Sequence, residues 1–326
     1  MLAVANYHYI RKDFAAKYPS IFGLTPKEFE HQLIALSKQG EFISQEQLLG
    51  FRDKPFDKNY ILITFDDGLM EQYLLAKPIL DRLGIPFVFF INTSNYIERK
   101  VSLVHKIHML RSEIPSLEFL QLINKNFKLE LDALEKHKAV MHYNYDDSET
   151  AELKYLLNFK LTHSEQQLLI DPIFSEIYKE KDIAKSLYFE DEMLKTLFNN
   201  GNLGSHAHNH VPLGKLHLNE LDLELTSTQD FFHKKFSKHA SILSYPYGSY
   251  EASSGISEAL EKNDFKLAFT MERAVNNDVE TAPYLLSRYD CNDLPLGKSD
   301  LFKTKAIFEK PQFRKWYKNE SSSINK

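Results

Sequence analysis

The chain has 326 residues, 43% of them hydrophobic and 26% charged, which is a globular composition with enough length to bury a substantial core. A net charge of −5, from 40 basic and 45 acidic residues, offers no basic surface for a nucleic acid, and no nucleic-acid partner is expected. Cys291 is the one cysteine, which excludes an internal disulfide framework and a multi-cysteine metal site.

The amino-terminal segment does not have the features of a signal peptide. It lacks a basic beginning, and polar residues soon interrupt its apolar stretch. No segment of the chain approaches the ~18 consecutive apolar residues that a membrane helix needs. The sequence therefore predicts no membrane span and a cytoplasmic location.

The first predicted elements are a strand and a helix. Residues 3 to 10 are expected to form a strand with His8 near its end. Thr25 then stands at an N-cap position, with Pro26 at the first helical position and Glu28 at the third. This order of residues is typical of a helix start.

The most informative stretch is Tyr60-Ile-Leu-Ile-Thr-Phe-Asp-Asp-Gly68. A short apolar run of this kind predicts a buried strand, and here it ends in two carboxylates. Open and barrel α/β folds place their chemistry at the carboxyl ends of such strands, which makes Asp66 and Asp67 candidate site residues. The alternative interpretation is an ordinary strand that ends in an Asp-Gly turn.

A helix and a second buried strand follow. Residues 69 to 83 have helical periodicity with Leu74 and Leu75 inward, and Pro78 should kink or divide the helix. Residues 87 to 91 are an apolar strand. Strand, helix and strand at this spacing predict a βαβ unit and a parallel sheet.

The pattern changes between residues 100 and 195, where glycine is absent and helical periodicity dominates. We interpret this region as a helical insertion into the α/β framework. The insertion could cover an active site or make a homo-oligomer, and the sequence does not decide between these roles. Residues 318 to 326 are polar and are expected to form a flexible tail.

Strands are predicted again in the last part of the chain, over residues 241 to 245, 266 to 270 and 284 to 288. Before them, three of the 13 histidines fall within five positions, at His206, His208 and His210. One helical turn would place His206 and His210 on the same face, whereas an extended segment would align all three. The alternative is a polar surface loop with incidental histidines.

Two imidazoles and one carboxylate from the strand-end pair would form a metal site with open coordination positions. That is the arrangement of a catalytic rather than a structural zinc site. The expected cofactor is therefore a divalent ion, zinc first and cobalt or nickel as alternatives. The second aspartate, close to the ion but not bound to it, could accept a proton from water.

Three motifs in this order carry a family resemblance: Thr64-Phe-Asp-Asp-Gly68, Ser205-His206-x-x-x-His210 and Tyr245-Pro-Tyr-Gly248. Together they resemble the NodB-like polysaccharide deacetylases (carbohydrate esterase family 4). The resemblance covers residues 1 to 95 and 196 to about 295. It implies an α/β fold, a distorted (β/α) barrel over residues 1 to 317, interrupted by the helical insertion at 100 to 195.

The resemblance also implies roles for individual residues. Asp66 would be the general base, and Asp67, His206 and His210 would be the metal ligands. The main-chain N–H of Tyr247 would help to hold the oxyanion. His208 lies inside the motif without being a family ligand, and we expect it to be exposed to solvent; a role in supporting the metal ligands or in facing the substrate is the alternative.

Two departures from the family pattern concern the residues around Asp66. Many members have an arginine where this chain has Ser244, and Arg288 is a candidate to replace it and orient Asp66; an ordinary ion pair is the alternative. The late Leu-x-His motif, which supplies the general acid, has no counterpart because no histidine follows His239. The leaving amine would then be protonated by another group, by water or by Asp66 in a second role. His8 is a candidate to reach the site, and a structural hydrogen bond is the alternative for it.

These observations predict a metal-dependent hydrolase that removes an N-acetyl group from an amino sugar, using metal-activated water with Asp66 as base. The substrate would be a saccharide or a glycan-biosynthesis intermediate, such as a nucleotide-linked, lipid-linked or small acetamido sugar. Two alternatives stay open. One is hydrolysis of another C–N amide, a formamide or ureide, on the same fold, and the other is a non-catalytic saccharide-binding protein.

Overall fold

A computed structural model describes residues 1–18, 20–143, 146–303 and 305–319. The chain divides into two compact units. The first comprises Met1–Asp13, Gly23–Arg99 and Ala184–Lys326, and the second comprises Phe14–Phe22 and Lys100–Ile183. The first unit thus resumes at Ala184, inside the span predicted as the insertion. The predicted tail lies outside the described residues from 320 onward.

The first unit is built on a parallel sheet, as the βαβ pattern predicted. Within the described residues the sheet has eight strands in the order β7-β6-β5-β4-β3-β1-β8, and β2 pairs with the start of β3. The strands are β1 Leu2–Tyr7, β2 Glu41–Phe42, β3 Tyr60–Phe65, β4 Phe87–Ile91, β5 Leu203–Ser205, β6 Ile242–Ser244, β7 Leu267–Phe269 and β8 Tyr289–Asp290.

Helices and short turns connect these strands. They are α1 Pro26–Ser37, α2 Gln45–Leu49, α3 Lys77–Leu83, α4 Ser94–Ile97, α5 Leu103–Glu113, α6 Ser116–Phe127, α7 Ala133–His142, α8 Ser148–Tyr155, α9 His163–Ile177, α10 Glu180–Leu187, α11 Asp191–Asn199, α12 Leu218–Phe236, α13 Tyr250–Ser253 and α14 Ser257–Lys262. Two π-helical turns, Gln72–Ala76 and Leu156–Lys160, and one 3₁₀ turn, Leu213–Lys215, complete the helical structure. No helix in the described part of the chain is long and apolar enough to cross a bilayer.

The segment between β7 and β8 closes the sheet into a distorted barrel. Leu286 makes a parallel bridge to Phe269 on β7, and Tyr289 and Asp290 then pair with β1. The strand predicted over residues 284 to 288 is therefore wrong. The segment changes its partner from one edge of the sheet to the other, so that no continuous ladder forms along it.

Side chains alternate between the two faces of each strand, as expected for a pleated backbone. One face packs against the helices and includes Ala5, Ile63, Phe65 and Phe89. The other face forms the barrel interior and includes Val4, Leu62, Val88, Phe90 and Ile242. At the carboxyl end of the strands the interior positions become polar, with Asn6, Thr64 and Ser244 all fully buried.

The sequence predicted the start of α1 correctly but not the course of the helix over residues 69 to 83. Thr25 and Glu28 form the expected capping box at the start of α1. The helix predicted over residues 69 to 83 instead begins with the π-helical turn, and Pro78 lies at the start of α3, where proline is tolerated. The prediction that Leu74 faces inward is wrong, since it is exposed. The wider turn shifts the phase of the side chains around the helix axis.

The second unit is helical in its described residues, and α5 to α9 lie within it. Its buried side chains include Leu110, Phe119, Ile123 and Phe174. Lys106 is also buried, and its Nζ atom lies 2.8 Å from a carboxylate oxygen of Asp171 and 2.8 Å from one of Glu180. The two carboxylates compensate the buried charge of the lysine.

Candidate active site

Three side chains from two neighbouring loops converge at the carboxyl edge of the sheet. Asp67 follows β3, while His206 and His210 follow β5, and all three are buried. Asp67 Oδ1 lies 3.6 Å from His206 Nε2 and 3.5 Å from His210 Nε2. One possible ligand atom from each residue lies within 4.8 Å of the other two. We call Asp67, His206 and His210 the Asp-His-His cluster.

Left-handed backbone conformations shape both loops. Asp67 has φ 80° and Gly68 φ 64°, and a Cβ atom on Gly68 would lie 2.6 Å from Ile91 Cγ2. Ala207 and His210 have φ 64° and 54°. The histidines therefore lie on an irregular loop, and neither the helical turn nor the extended segment considered from the sequence forms. Only glycine adopts such φ values without strain, so the cluster is held by a locally strained backbone.

The protonation state of His206 suits a metal ligand. Its Nδ1 lies 2.7 Å from the backbone oxygen of Ser244, which can only accept, so Nδ1 carries the proton and Nε2 keeps its lone pair toward Asp67. Burial lowers the pKa of His206, although Asp66 and Asp67 partly oppose this effect. A buried carboxylate beside two imidazoles is a donor set that fits a divalent metal ion with open coordination positions.

Asp66 is fixed in its ionised form inside the barrel. Arg288 donates from Nη1 to Oδ1 and from Nη2 to Oδ2, both at 2.9 Å, and Asn6 Nδ2 donates to Oδ2 at 3.0 Å. Burial raises the pKa of Asp66, but the charge and the hydrogen bonds of Arg288 outweigh this effect. The net pKa lies well below the ordinary value of a carboxyl group.

Arg288 is itself fully buried and fully engaged by its neighbours. Its remaining donors reach Asn6 Oδ1 at 2.9 Å, Ser244 Oγ at 2.8 Å and the backbone oxygen of Thr270 at 3.1 Å. Ser244 occupies the position where many family members have arginine. Its small side chain leaves room for the guanidinium group of Arg288, which donates a hydrogen bond to it. Sequence reasoning missed Asn6 and this role of Ser244. The signal was available, since each is a polar residue at an inward position of an otherwise apolar strand.

His8 lies near Asp66, whereas Tyr247 contacts His210. His8 Nε2 is 3.7 Å from Asp66 Oδ2, and its side chain is 35% exposed. The Tyr247 ring packs against the His210 ring with 5.1 Å between centroids, and Tyr247 has φ 63°. The structure thus brings together the seven residues to which the sequence assigned catalytic or metal-binding roles, although those roles stay predictions.

His208 is not exposed, and that prediction is wrong. It is buried, with Nδ1 2.8 Å from Thr93 Oγ1 and Nε2 3.3 Å from Glu98 Oε1. The left-handed backbone at Ala207 turns the chain, so that His208 does not share a face with His206. His208 contacts the segment around α4 and not the Asp-His-His cluster.

A buried acid, Glu224, accepts hydrogen bonds from the loop that carries His206 and His210. Glu224, in the middle of α12, accepts the backbone N–H groups of His208 at 3.1 Å and Asn209 at 3.0 Å, and the Asn209 side chain donates to its other oxygen at 2.5 Å. Sequence reasoning did not single out Glu224. The only signal was an acid beside Leu221 and Leu225, two of the buried apolar residues of the same helix.

Replacing Glu224 by glutamine is expected to weaken metal binding about tenfold, the usual effect of removing a group that orients metal ligands. Both carboxylate oxygens of Glu224 accept hydrogen bonds, whereas glutamine has only one acceptor oxygen, and its NH₂ group cannot accept from an N–H donor. The loop that carries His206 and His210 is therefore held less firmly. The matched control is Asp222→Asn, an exposed acid on the same helix whose partner is Lys262. Competition with a chromophoric chelator measures both affinities. Equal affinities for the two variants would show that Glu224 does not hold the loop.

A parallel barrel with a buried Asp-His-His cluster and an ionised aspartate at its carboxyl edge defines a protein of the (β/α)-barrel class with a candidate active site at the usual edge of the sheet. The chain belongs to the polysaccharide deacetylase family. The sequence model of this family, Polysaccharide deacetylase, matches residues 53–116 and 163–268. The match confirms the resemblance found in the motifs, and it assigns the chain to the carbohydrate deacetylases. No curated protein matches the sequence significantly.

Solved structures confirm the fold. IcaB from Ammonifex degensii is 16% identical with a TM-score of 0.53, and the alignment covers 90% of this chain and 94% of that one. The deacetylase PplD of Streptococcus pyogenes, solved in complex with acetate, is 14% identical with a TM-score of 0.52, covering 89% and 91%. A de-N-acetylase from Aggregatibacter actinomycetemcomitans is 15% identical with a TM-score of 0.51, covering 88% and 94%.

Proposed function

We propose that this protein is a metal-dependent N-deacetylase that removes the acetyl group from an amino sugar in a saccharide or a glycan-biosynthesis intermediate. Family membership supports deacetylation of a carbohydrate. The observation that supports the finer proposal is the buried Asp-His-His cluster next to an ionised Asp66. A buried cluster of this composition beside a candidate base is the arrangement used by metal-assisted hydrolases.

The residues that would hold the metal are Asp67, His206 and His210, and zinc is the ion we propose, with cobalt or nickel as alternatives. Such an ion, when bound, polarises a carbonyl oxygen and lowers the pKa of water. The protein prepares the site by keeping the His206 imidazole neutral and by fixing its ring through the hydrogen bond to Ser244. Both features lower the reorganisation that binding requires.

Asp66 is proposed as the general base. Water adds to the acetamide carbonyl carbon and its proton passes to the Asp66 carboxylate. The C–N bond then breaks, the amine takes up a proton, and acetate and the free amino sugar are released. Arg288 keeps Asp66 ionised and holds both of its oxygens, so the carboxylate needs little rearrangement before it accepts the proton.

His8 and Tyr247 are proposed for the remaining roles. His8 lies 3.7 Å from Asp66 and is partly exposed, so it borders both the carboxylate and solvent. It is therefore our candidate for protonating the leaving amine in place of the missing late histidine. The main-chain N–H of Tyr247, beside His210, is proposed to stabilise the oxyanion.

Acetate release from a panel of compounds tests the proposal. The panel contains N-acetylglucosamine, N-acetylated oligosaccharides and a nucleotide-linked acetamido sugar, together with a formamide and a cyclic ureide. Acetate release by the metal-loaded wild type, absent in Asp66→Asn, would support deacetylation. Hydrolysis of only the formamide or ureide would point to the other C–N amides, and saccharide binding without turnover would point to a binding protein.

A further inference from the structure

A buried glutamine contacts the turn that carries the two aspartates. Gln72 is fully buried and is the first residue of the π-helical turn Gln72–Ala76. Its carboxamide makes three hydrogen bonds, and all three partners are backbone groups at or next to the candidate catalytic residues. Since π-helical turns occur frequently at functional sites, these contacts are of interest for the proposed reaction.

The amide nitrogen of Gln72 joins the carboxyl ends of two neighbouring strands. The Asp66 N–H donates to the Tyr7 oxygen at 3.0 Å, where the paired residues of β1 and β3 end. Just beyond this point, Gln72 Nε2 donates to the backbone oxygen of His8 at 2.8 Å and to that of Asp66 at 2.6 Å. One NH₂ group thus links the residue proposed as the base to the residue proposed as the acid.

The amide oxygen of Gln72 holds the other end of the aspartate turn. The Leu69 N–H donates to Gln72 Oε1 at 3.2 Å, and the Gln72 N–H donates back to the Leu69 oxygen at 2.9 Å. Asp66 and Leu69, which flank Asp67 and Gly68, are therefore both bonded to one side chain. Asp67 and Gly68 have φ values of 80° and 64°, and an aspartate rarely adopts such a value without support.

Glutamine has a property at this position that glutamate would lack. A glutamine or glutamate in the first turn of a helix commonly accepts the backbone N–H of the residue three positions earlier, which here is Leu69. Either residue could therefore cap the helix. Only glutamine also has an NH₂ group with two N–H donors, and both backbone oxygens at the strand ends accept from it.

These backbone contacts complement the groups that hold the Asp66 side chain. Arg288 and Asn6 bond the Asp66 carboxylate, but they do not bond the main chain of Asp66 or of His8. The 3.7 Å separation between His8 and Asp66 depends on the positions of both main chains. A displacement of about 1 Å between reacting groups can lower a rate about 10²-fold. A side chain that fixes these main chains therefore affects the rate without contacting the substrate.

We infer that Gln72 is a positioning residue for the proposed reaction. Its two donated bonds set the separation between His8 and Asp66, and its three bonds together hold the turn that presents Asp67 to the metal. The inference rests on the proposed function for the roles of these three residues. Glu224 holds the loop of the histidines in a comparable way, so that both loops of the Asp-His-His cluster are fixed by a buried polar side chain.

Gln229 is a matched control at the opposite edge of the sheet. It is 4% exposed, and its Nε2 donates to the backbone oxygens of Ala240 at 3.0 Å and Asn263 at 2.6 Å. Its Oε1 accepts from the Ala240 N–H at 2.8 Å. Ala240 and Asn263 precede β6 and β7. The two carboxamides therefore make the same set of bonds, but those of Gln229 lie at the amino ends of the strands, away from the Asp-His-His cluster.

Steady-state acetate release compares Gln72→Met and Gln72→Glu with Gln229→Met and Gln229→Glu. Methionine removes all three bonds of the amide, whereas glutamate keeps the acceptor for the backbone N–H and loses the NH₂ group. We expect kcat to fall about 10²-fold in both Gln72 variants, with KM unchanged because Gln72 is buried. Both Gln229 variants should keep the wild-type kcat. Thermal unfolding verifies that each variant is folded, and the two methionine variants should show a similar fall in Tm.

Cobalt binding gives a second measurement that does not depend on turnover. Competition for Co²⁺ with a chromophoric chelator is measured for wild type, Gln72→Met and Gln229→Met. We expect the Kd for Co²⁺ to rise about tenfold in Gln72→Met, the usual effect of removing a group that orients metal ligands. Gln229→Met should bind Co²⁺ as the wild type does.

The outcomes separate the positioning role from the proposed function. Weaker cobalt binding by Gln72→Met alone, in a protein that releases acetate from no substrate, would leave the hold on Asp67 standing without the deacetylase. Acetate release with equal kcat in the Gln72 and Gln229 variants would overturn the inference and leave the proposed function intact. Full activity in Gln72→Glu would also overturn it, because capping of the helix would then be the only role of this residue. Equal cobalt affinities of the two methionine variants would contradict the hold on Asp67.

Discussion

Replacing Asp66 by asparagine is expected to lower kcat/KM for deacetylation about 10³-fold while the protein keeps its metal. The magnitude is that of losing a positioned general base. Replacing the adjacent Asp67 by asparagine should instead remove the metal, since Asp67 supplies the only carboxylate of the Asp-His-His cluster. Acetate release and elemental analysis of the two purified variants give the comparison.

The two aspartates are matched controls for each other. They are consecutive, follow the same strand and are 2% and 3% exposed. A general effect of removing a buried charge would therefore change both variants alike. Loss of the metal from Asp66→Asn, or full activity in that variant, would contradict the division of roles proposed for them.

Replacing Arg288 by methionine is expected to lower the free energy of unfolding by about 3–5 kcal/mol at pH 7. Methionine fills part of the volume but leaves the Asp66 carboxylate buried without its cation. Breaking one partner of a buried ion pair has a cost of this size because the remaining charge is uncompensated. Urea unfolding of chelator-treated wild type and variant measures the difference free of metal binding. Ser244→Ala, which removes one hydrogen bond of Arg288, should cost only about 1 kcal/mol.

The pH dependence of that difference distinguishes charge from packing. In the wild type the pKa of Asp66 in the folded protein lies below its value in the unfolded chain, about 3.9. The ionised Asp66 therefore stabilises the folded protein above about pH 4. This stabilisation is lost as the pH falls below that value. In Arg288→Met burial dominates and raises the pKa of Asp66, so the variant loses stability as the pH rises from about 4. The gap between the two proteins should widen from pH 4 to pH 7. A constant gap would show that Arg288 acts by packing alone.

The reacting groups were predictable because the sequence marks where buried strands end. Asp66 and Asp67 follow an apolar run, and the histidines follow a second short strand. In a parallel sheet those ends meet at one edge, whatever the curvature of the sheet. Composition and spacing were therefore enough to place the two aspartates and the histidines at one edge, whereas the choice of Asp67 as the metal ligand came from the family resemblance.

The groups that hold the reacting residues were less visible in the sequence. Arg288 lies on a segment that changes partner from β7 to β1, and its contacts are single inward residues of different strands. Local periodicity carries no information about which strands curve toward each other. The burial of His208 depends on a left-handed alanine, which no turn rule would predict at Ala207.

Metal content, measured by elemental analysis of wild type, His206→Ala and His208→Ala, tests the central claim most directly. His208 is the matched control because it lies in the same loop but contacts Thr93 and Glu98. We predict near-stoichiometric zinc, cobalt or nickel in wild type and in His208→Ala, and loss of the metal from His206→Ala. Wild-type protein that contains no metal and takes up none on addition would contradict the proposed mechanism and leave the fold alone established.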